Sequence, residues 1–173
     1  VEGPIYILGS STDSAHLAVK IRLPYAFASH FATTHLWDAI EIYRTEFTLS
    51  NDLKKHFVMA GVNIIIADTH EEAQRLSTSL IRMIVGIFTG KRNDEQPPIA
   101  MTNELKEILQ NPQVHQILKY SFIGSKVTVK AQVKEFVEQT KADELIAVTH
   151  IYDGKERIRS YELFAEIMKE LNS

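Results

Sequence analysis

Residues 57–67 (FVMAGVNIIIA) form the longest apolar run in the chain and are rich in β-branched side chains. Such a run reads as a strand buried on both faces, and strands of that kind belong to parallel sheets covered by helices. The rest of the chain must therefore supply those helices and the neighbouring strands. Residues 4–8 are a shorter apolar run bounded by Gly3-Pro4 and Gly9, and residues 25–31 are another, entered through Leu23-Pro24. Between them, residues 14–21 carry Ala15, Leu17, Ala18 and Ile21 on a 3.6-residue period. Strand, helix and strand within about thirty residues is the size of a βαβ unit.

Thr33 and Thr34 are placed to cap a helix whose packing face is Leu36, Trp37, Ile40, Tyr43 and Phe47. Asp68 or Thr69, followed by Glu71-Glu72, starts a long helix over 70–88 with Ala73, Leu76, Leu80, Met83, Ile84 and Ile87 on one side. Residues 89–100 (TGKRNDEQPPIA) combine Gly90, Pro97 and Pro98 with clustered charge, and are expected as a flexible loop, either a surface excursion or an active-site lid. Short helices are expected over 103–109 and 113–120. Ile123-Gly124-Ser125-Lys126 then opens a helix with Val129, Val133, Phe136 and Val137 inward. Residues 144–149 (ELIAVT) supply a fourth strand, and a last helix over about 156–171 presents Ile158, Tyr161, Leu163, Phe164, Ile167, Met168 and Leu171.

Four strands alternating with helices predict a parallel α/β fold, taken as one domain over residues 1–173. Two closures are open. One is a doubly wound sheet, and the other is four of the eight units of a (β/α)8 barrel, since a whole barrel takes roughly 250 residues. With 45% apolar and 24% charged residues, the composition argues against disordered and collagen-like classes. The 19 basic and 22 acidic residues leave a net charge of −3 without long blocks of one sign, which argues against a nucleic-acid partner. No apolar run is long enough for a membrane span, so no membrane partner is expected and a cytoplasmic location fits. The lack of cysteine excludes disulfides, thiolate metal sites and cysteine nucleophiles from these residues. The chain begins at Val1 rather than methionine, which fits either an unseen leader or a piece of a longer polypeptide.

Chemistry concentrates at Ile7-Leu8-Gly9-Ser10-Ser11-Thr12-Asp13-Ser14, where a strand runs into a helix. The free N–H groups and positive dipole end of a helix start attract phosphate. Gly9 permits close backbone approach, and Ser10, Ser11, Thr12 and Ser14 add hydroxyl donors, while Asp13 would have to face away. Ser, Thr and Asp are also the commonest helix caps, so the residues alone leave phosphate binding and capping both open.

The segment ILGSSTDSAHLAVKIRLPYAFASHF resembles the opening of the carboxy-terminal half of luciferase-like flavin monooxygenases, and ATTHLWDAIEIYRTEF, VMAGVNIIIADTHEEAQRL, the QPP loop, FIGSKVTVKAQVKEF and TKADELIAVTHIYDGKERIRSYELFAEI continue the resemblance in order. The resemblance implies the C-terminal half of a (β/α)8 barrel, about its fifth to eighth strands, with FMN at the carboxyl ends of the strands. It places phosphate contacts on the backbone of Ser10 and on Ser11 and Ser14, with Gly9 shaping the turn. Ser10 stands where the family commonly has an acidic residue. Lys126 replaces a proline of the family's Gly-Ser/Thr-Pro helix start, and is read either as part of a cap or as a basic group in reach of an anion.

By the same resemblance, Ala28-Ser29-His30-Phe31 lies near the flavin ring or substrate cavity. His30 is the candidate catalytic residue for proton transfer, against the alternative of a packing histidine, and Phe31 is a cavity wall. His150 follows the last strand, where barrel catalytic residues lie. His16, His35, His56, His70 and His115 make no close ligand constellation, so no metal is expected.

The activity implied is oxidation of a small-molecule substrate such as an aldehyde by oxygen and reduced FMN supplied by a separate flavin reductase. In the family the other half of the barrel supplies a basic phosphate partner and the principal catalytic side chains. This chain alone is therefore expected to be inactive and to pair with a missing N-terminal half or with further copies of itself. The alternative is a non-catalytic flavin- or phosphate-binding α/β module acting structurally or as a subunit.

Overall fold

The computed structural model describes residues 3, 5–47, 55–91 and 96–173. Pro4, in the first expected strand, and residues 92–95, in the expected loop, lie outside them. The elements run β1 (Ile7–Gly9), α1 (Thr12–Ile21), β2 (Tyr25–Phe27), α2 (Leu36–Glu46), β3 (Val58–Ala67), α3 (His70–Phe88), α4 (Asn103–Leu109), α5 (Pro112–Ile117), β4 (Ser121–Ser125), α6 (Lys126–Thr140), β5 (Glu144–Val148) and α7 (Gly154–Leu171).

All strand pairs are parallel, and the apolar run singled out above becomes their centre. β3 pairs with β2 through Val58–Ala60, with β5 through Met59–Asn63 and with β4 through Asn63–Ala67. Successive residues of a strand aim their N–H and C=O groups at opposite edges. Phe57 O accepts from Tyr25 N–H and Asn63 N–H donates to Tyr120 O, so the odd-numbered positions face β2 and β4. Val58 O accepts from Asp143 N–H, so the even positions face β5. The run β1-β2-β3-β5 is therefore a four-strand sheet, with β4 in line beyond β2 on the same edge of β3.

The two faces are covered differently. Val58, Ala60, Val62, Ile64 and Ile66 join Tyr25, Phe27 and Phe122 in one core with buried residues of α1, α2, α6 and α7. On the other face, only the upper part of β3 is covered: Ile65 and Ala67 pack against Ala73, Leu76, Leu80 and Ile84 of α3 and Val114 of α5. Lower on that face, the registers Leu8↔Ala26, Ala26↔Met59 and Gly61↔Ile146 place Leu8 and Ile146 on the same side. Leu8 is 68% and Ile146 42% exposed. The helix-free part of the sheet thus leaves apolar side chains at both of its edge strands.

Several expectations are corrected. The first strand is only Ile7–Gly9, and Ile5 and Leu8 of the expected apolar run are exposed. The second strand stops at Phe27, because Ala28 N–H still reaches Gly9 O but Ser29 N–H then turns back to Phe27 O. Past Phe27, Ala28 and Ser29 are still buried although the strand has ended, and Phe31 is exposed. A fifth strand, β4, lies where a helix start was expected, since SFIGS is short and leads directly into α6. α2 begins after His35 with no side-chain cap, and Thr33 instead donates to Gln116 O at 2.8 Å. Trp37, Met83, Ile87, Ile158 and Tyr161, expected on packing faces, are exposed.

Beyond Val148, β5 no longer covers its edge of β3, and the N–H of Ile66 donates instead to Ser160 Oγ of α7 at 3.0 Å. Ser160 is fully buried. Ser160→Ala should therefore strand a buried N–H and lower stability by roughly 1–3 kcal/mol in urea denaturation. A change no larger than that of a surface Ser→Ala would show that α7 does not seal this edge.

Candidate functional site

Two groups of residues lie toward the C-terminal ends of the parallel strands, one after β1 and one beside β3. The first is the turn from β1 into α1. Ser11 stands at the N-cap position with extended backbone (φ −142, ψ 167), but its side chain makes no cap hydrogen bond. The starts of α3, α4, α5 and α7 are each closed by a side chain, those of Thr69, Thr102, Asn111 and Asp153, whereas α2 and α6, like α1, begin without one. At α1 the leading N–H groups have no such acceptor, so the side-chain capping alternative is not realised there.

The interior of this turn is held by the close approach of Ser11 O and the Ser14 and Tyr25 hydroxyls, which share two protons. Ser14 Oγ donates to Ser11 O at 2.6 Å, and the Tyr25 hydroxyl lies 2.9 Å from Ser14 Oγ and 3.2 Å from Ser11 O. Burial raises the Tyr25 phenol above its ordinary value despite the bond to Ser14, so it stays protonated. Gly9 is required by this packing, since a Cβ there would collide with Cβ and Oγ of Ser14. Ser10 is exposed and Ser11 half-buried. The Ser14 hydroxyl is thus committed to shaping the turn, leaving Ser10, Ser11 and the backbone amides as the groups open to an anion.

The second group surrounds a cleft of about 130 Å³ bounded by the middle of β3, the turn after β2, α3, the stretch from the end of α5 into β4 and the segment after β5. His30, Phe31, Asn63, Ser121 and His150 line it together with Leu80, Met83, Ile84 and Ile87 of α3. The His30 ring lies against Gly61, where a Cβ would collide with its Nδ1, and Phe31 packs edge-on against it at 4.8 Å. Ser29 Oγ donates to Gly61 O at 2.6 Å and fixes the turn that carries both. Of the residues that line this cleft, His30 and Asn63 each bury a polar atom, Nδ1 and Oδ1, that has no hydrogen-bond partner among the described residues. Burial, and then the charge of His150, hold the His30 imidazole below its ordinary value.

The structure thus brings Gly9, Ser10, Ser11 and Ser14 together in one turn, and His30, Phe31 and His150 around one cleft. Asn63 and Gly61 were missed by the sequence reading. Asn63 carried a signal, a lone amide within an otherwise apolar strand, which is costly unless it has a use. Lys126 is not available to an anion in this structure. It pairs with Glu166 at 2.6 Å and Glu170 at 2.7 Å, and Lys126 and Lys130 together hold the Glu170 carboxyl down at about 2. A larger cleft of about 460 Å³ runs between α3 and α4 past Arg82, Ile99 and Leu105, but has no unpartnered buried side-chain atom among its described residues.

No protein-family model matches the chain. It is 36% identical over 169 residues to YvbT of Bacillus subtilis (strain 168), covering 98% of this chain and 50% of that protein. It is likewise 36% identical over 168 residues to the luciferase-like monooxygenase of Escherichia coli (strain K12), covering 97% of this chain and 50% of that protein. The chain therefore spans about half the length of the curated relatives it matches. Among solved structures, apo-MsnO8 superposes with a TM-score of 0.83 at 25% identity, covering 98% of this chain and 52% of that one. The oxygenating constituent of 3,6-diketocamphane monooxygenase from Pseudomonas putida, solved with FMN, superposes at 0.59 with 17% identity, covering 94% and 46%. These neighbours are barrels matched over about half their length, so of the two closures the parallel units here take that of the half barrel.

Because the folded-state value of His30 lies below its unfolded value near 6.5, the unfolded chain binds the proton more tightly. Stability should fall as pH drops through about 6.5, and His30→Gln should flatten that slope in denaturation curves taken from about pH 7.5 to 5. Gly61→Ala should push the ring toward water and raise its NMR titration midpoint. An unchanged midpoint would show that the bare Gly61 backbone does not seat the imidazole.

Proposed function

Over the half of their length that it spans, this chain belongs to the luciferase-like monooxygenase family, and on that premise we propose that it forms the carboxy-terminal half of an FMN-dependent monooxygenase and carries the flavin-phosphate turn. The observation that carries the reading is the turn into α1, where no described side chain caps the leading amides and the chain enters through a glycine that admits no Cβ. A phosphate needs that combination of free amides, positive helix end and close backbone approach. The amides of Ser10 and Ser11 and the Ser11 hydroxyl would hold it, with Gly9 giving access and Ser14 bracing the turn from behind.

When bound, reduced FMN would supply electrons to oxygen for oxidation of an organic substrate such as an aldehyde, with a separate reductase renewing the flavin. The protein residues bind, orient and manage protons around it. His30 is held neutral near pH 7, and with Nδ1 closed off against Gly61 a proton reaches the ring through Nε2. Phe31 and the α3 side chains line an apolar cleft that limits water. Leu8 and Ile146, exposed at the two sheet edges, support docking of the other half of the barrel or of a second copy.

Titration with FMN, followed by flavin fluorescence, should show saturable binding. Gly9→Ala should weaken it by about tenfold or more, the worth of a charge-assisted hydrogen bond or two. Gly9→Ala combined with Ser14→Gly, which removes the colliding atoms, should recover part of the loss. Wild-type FMN binding no tighter than that of Gly9→Ala would sink the phosphate assignment. Binding without reductase-coupled oxygen uptake, even after the other half is added, would favour a non-catalytic module.

Light scattering at micromolar concentration should report self-association of the chain alone, displaced by the added half. A monodisperse monomer that ignores that half would count against docking through the bare face.

A further inference from the structure

Tyr25 carries a hydroxyl where packing alone does not call for one. The residue is fully buried, with its ring 6.2 Å from that of Phe27 and 5.4 Å from that of Tyr43, in the core beneath α1 and α2. A phenylalanine would fill the same space, and a buried hydroxyl is costly unless it is bonded. The partners of this one, Ser14 Oγ at 2.9 Å and Ser11 O at 3.2 Å, both belong to the turn from β1 into α1.

Those contacts fix one peptide plane. Ser11 O brings no proton of its own and accepts from Ser14 Oγ at 2.6 Å. The Tyr25 proton goes either to Ser11 O or to Ser14 Oγ, so the Ser11 carbonyl is held toward a residue that the sheet immobilises. Tyr25 pairs with Ile7 of β1, and its N–H donates to Phe57 O at 2.9 Å. The peptide unit that carries Ser11 O also carries the Thr12 N–H. None of the described peptide bonds is cis, and in a planar trans peptide N–H and C=O point in opposite directions. Drawing Ser11 O inward therefore turns the Thr12 N–H to the side away from Tyr25. Thr12 is half-buried and opens α1, whose leading amides carry the positive end of the helix and are capped by no described side chain.

We propose that Tyr25 is a positioning residue for the phosphate turn: by holding Ser11 O, directly and through Ser14, it aims the Thr12 N–H at the anion and adds a third backbone donor to those of Ser10 and Ser11. This role rests on the flavin-phosphate reading above. It concerns the phosphate and not the rings of a flavin, so inorganic phosphate and FMN should feel the Tyr25 hydroxyl and riboflavin should not.

The test titrates inorganic phosphate, FMN and riboflavin separately into the wild-type chain and into Tyr25→Phe, with backbone amides followed by NMR and stability by urea denaturation. In the wild type, phosphate and FMN should each move the Thr12 amide proton downfield in a saturable way. Tyr25→Phe should weaken both ligands about threefold to tenfold, the worth of one hydrogen bond, and leave any riboflavin binding unchanged. A less stable Tyr25→Phe that binds phosphate and FMN as tightly as the wild type would overturn the proposal, because a hydroxyl that only supports packing gives that result. A Thr12 amide that stays still while the wild type binds phosphate would overturn it without any variant. Ser14→Ala leaves the phenol within reach of Ser11 O, so it should weaken phosphate less than Ser14→Ala combined with Tyr25→Phe; equal losses would show that Tyr25 does not hold the carbonyl. Wild-type chain that binds neither phosphate nor FMN would remove the flavin-phosphate reading and this role together, whereas binding undiminished in Tyr25→Phe removes the role alone.

Discussion

The hydrogen-bonded alignment of β3 with three other strands is the constraint on which the rest of the molecule depends. Its even-numbered groups face β5 and its odd-numbered groups face β2 and then β4, so ten residues organise both edges of the sheet. The same alternation assigns its side chains. Val58 to Ile66 at even positions fill the core under α1, α2, α6 and α7, while Ile65 and Ala67 meet α3. Gly61 and Asn63 fall on the odd set, below α3, where His30 and the cleft are. A slip of one residue in this strand would exchange the two sets and remove core and cleft together.

The two candidate sites are neighbours because parallel strands end together. Ala28 N–H donates to Gly9 O, joining the turn after β2 to the end of β1, and Ser29 Oγ donates to Gly61 O, joining that turn to β3. Strands lie about 4.8 Å apart, so the phosphate turn and the cleft are separated by roughly two strand spacings, on the order of 10 Å. One end is polar and rich in free amides, and the other is apolar with a few buried polar atoms.

Helix and strand order was largely readable, because periodicity is a local property of the chain. α3 occupies the residues expected for it, and the expected four strands are the run β1, β2, β3 and β5. The errors share a physical origin. β4 went unseen because five residues leave too little pattern when a helix follows at once. The strand at Tyr25 was extended too far because burial and strand geometry leave the same apolar signature. Met83 and Ile87 were taken for core because a helical stripe records which side is apolar, not how far the neighbouring element reaches. Lys126 was left open as an anion contact because Glu166 and Glu170, its partners, lie forty residues and more along the chain.

By itself the sequence determined the α/β class, the parallel order of its units and the composition of the Gly9–Ser14 turn, all of which follow from short-range spacing. Tertiary structure decided the rest. It left the α1 start without a cap and buried Asn63 Oδ1 without a partner among the described side chains, turned the Ser14 hydroxyl inward to Ser11 and Tyr25, and laid His30 on Gly61. These are pairwise facts between residues distant in the chain. A one-dimensional pattern records what each residue prefers, but the partner it finds, or fails to find, is set only when the strands and helices are packed.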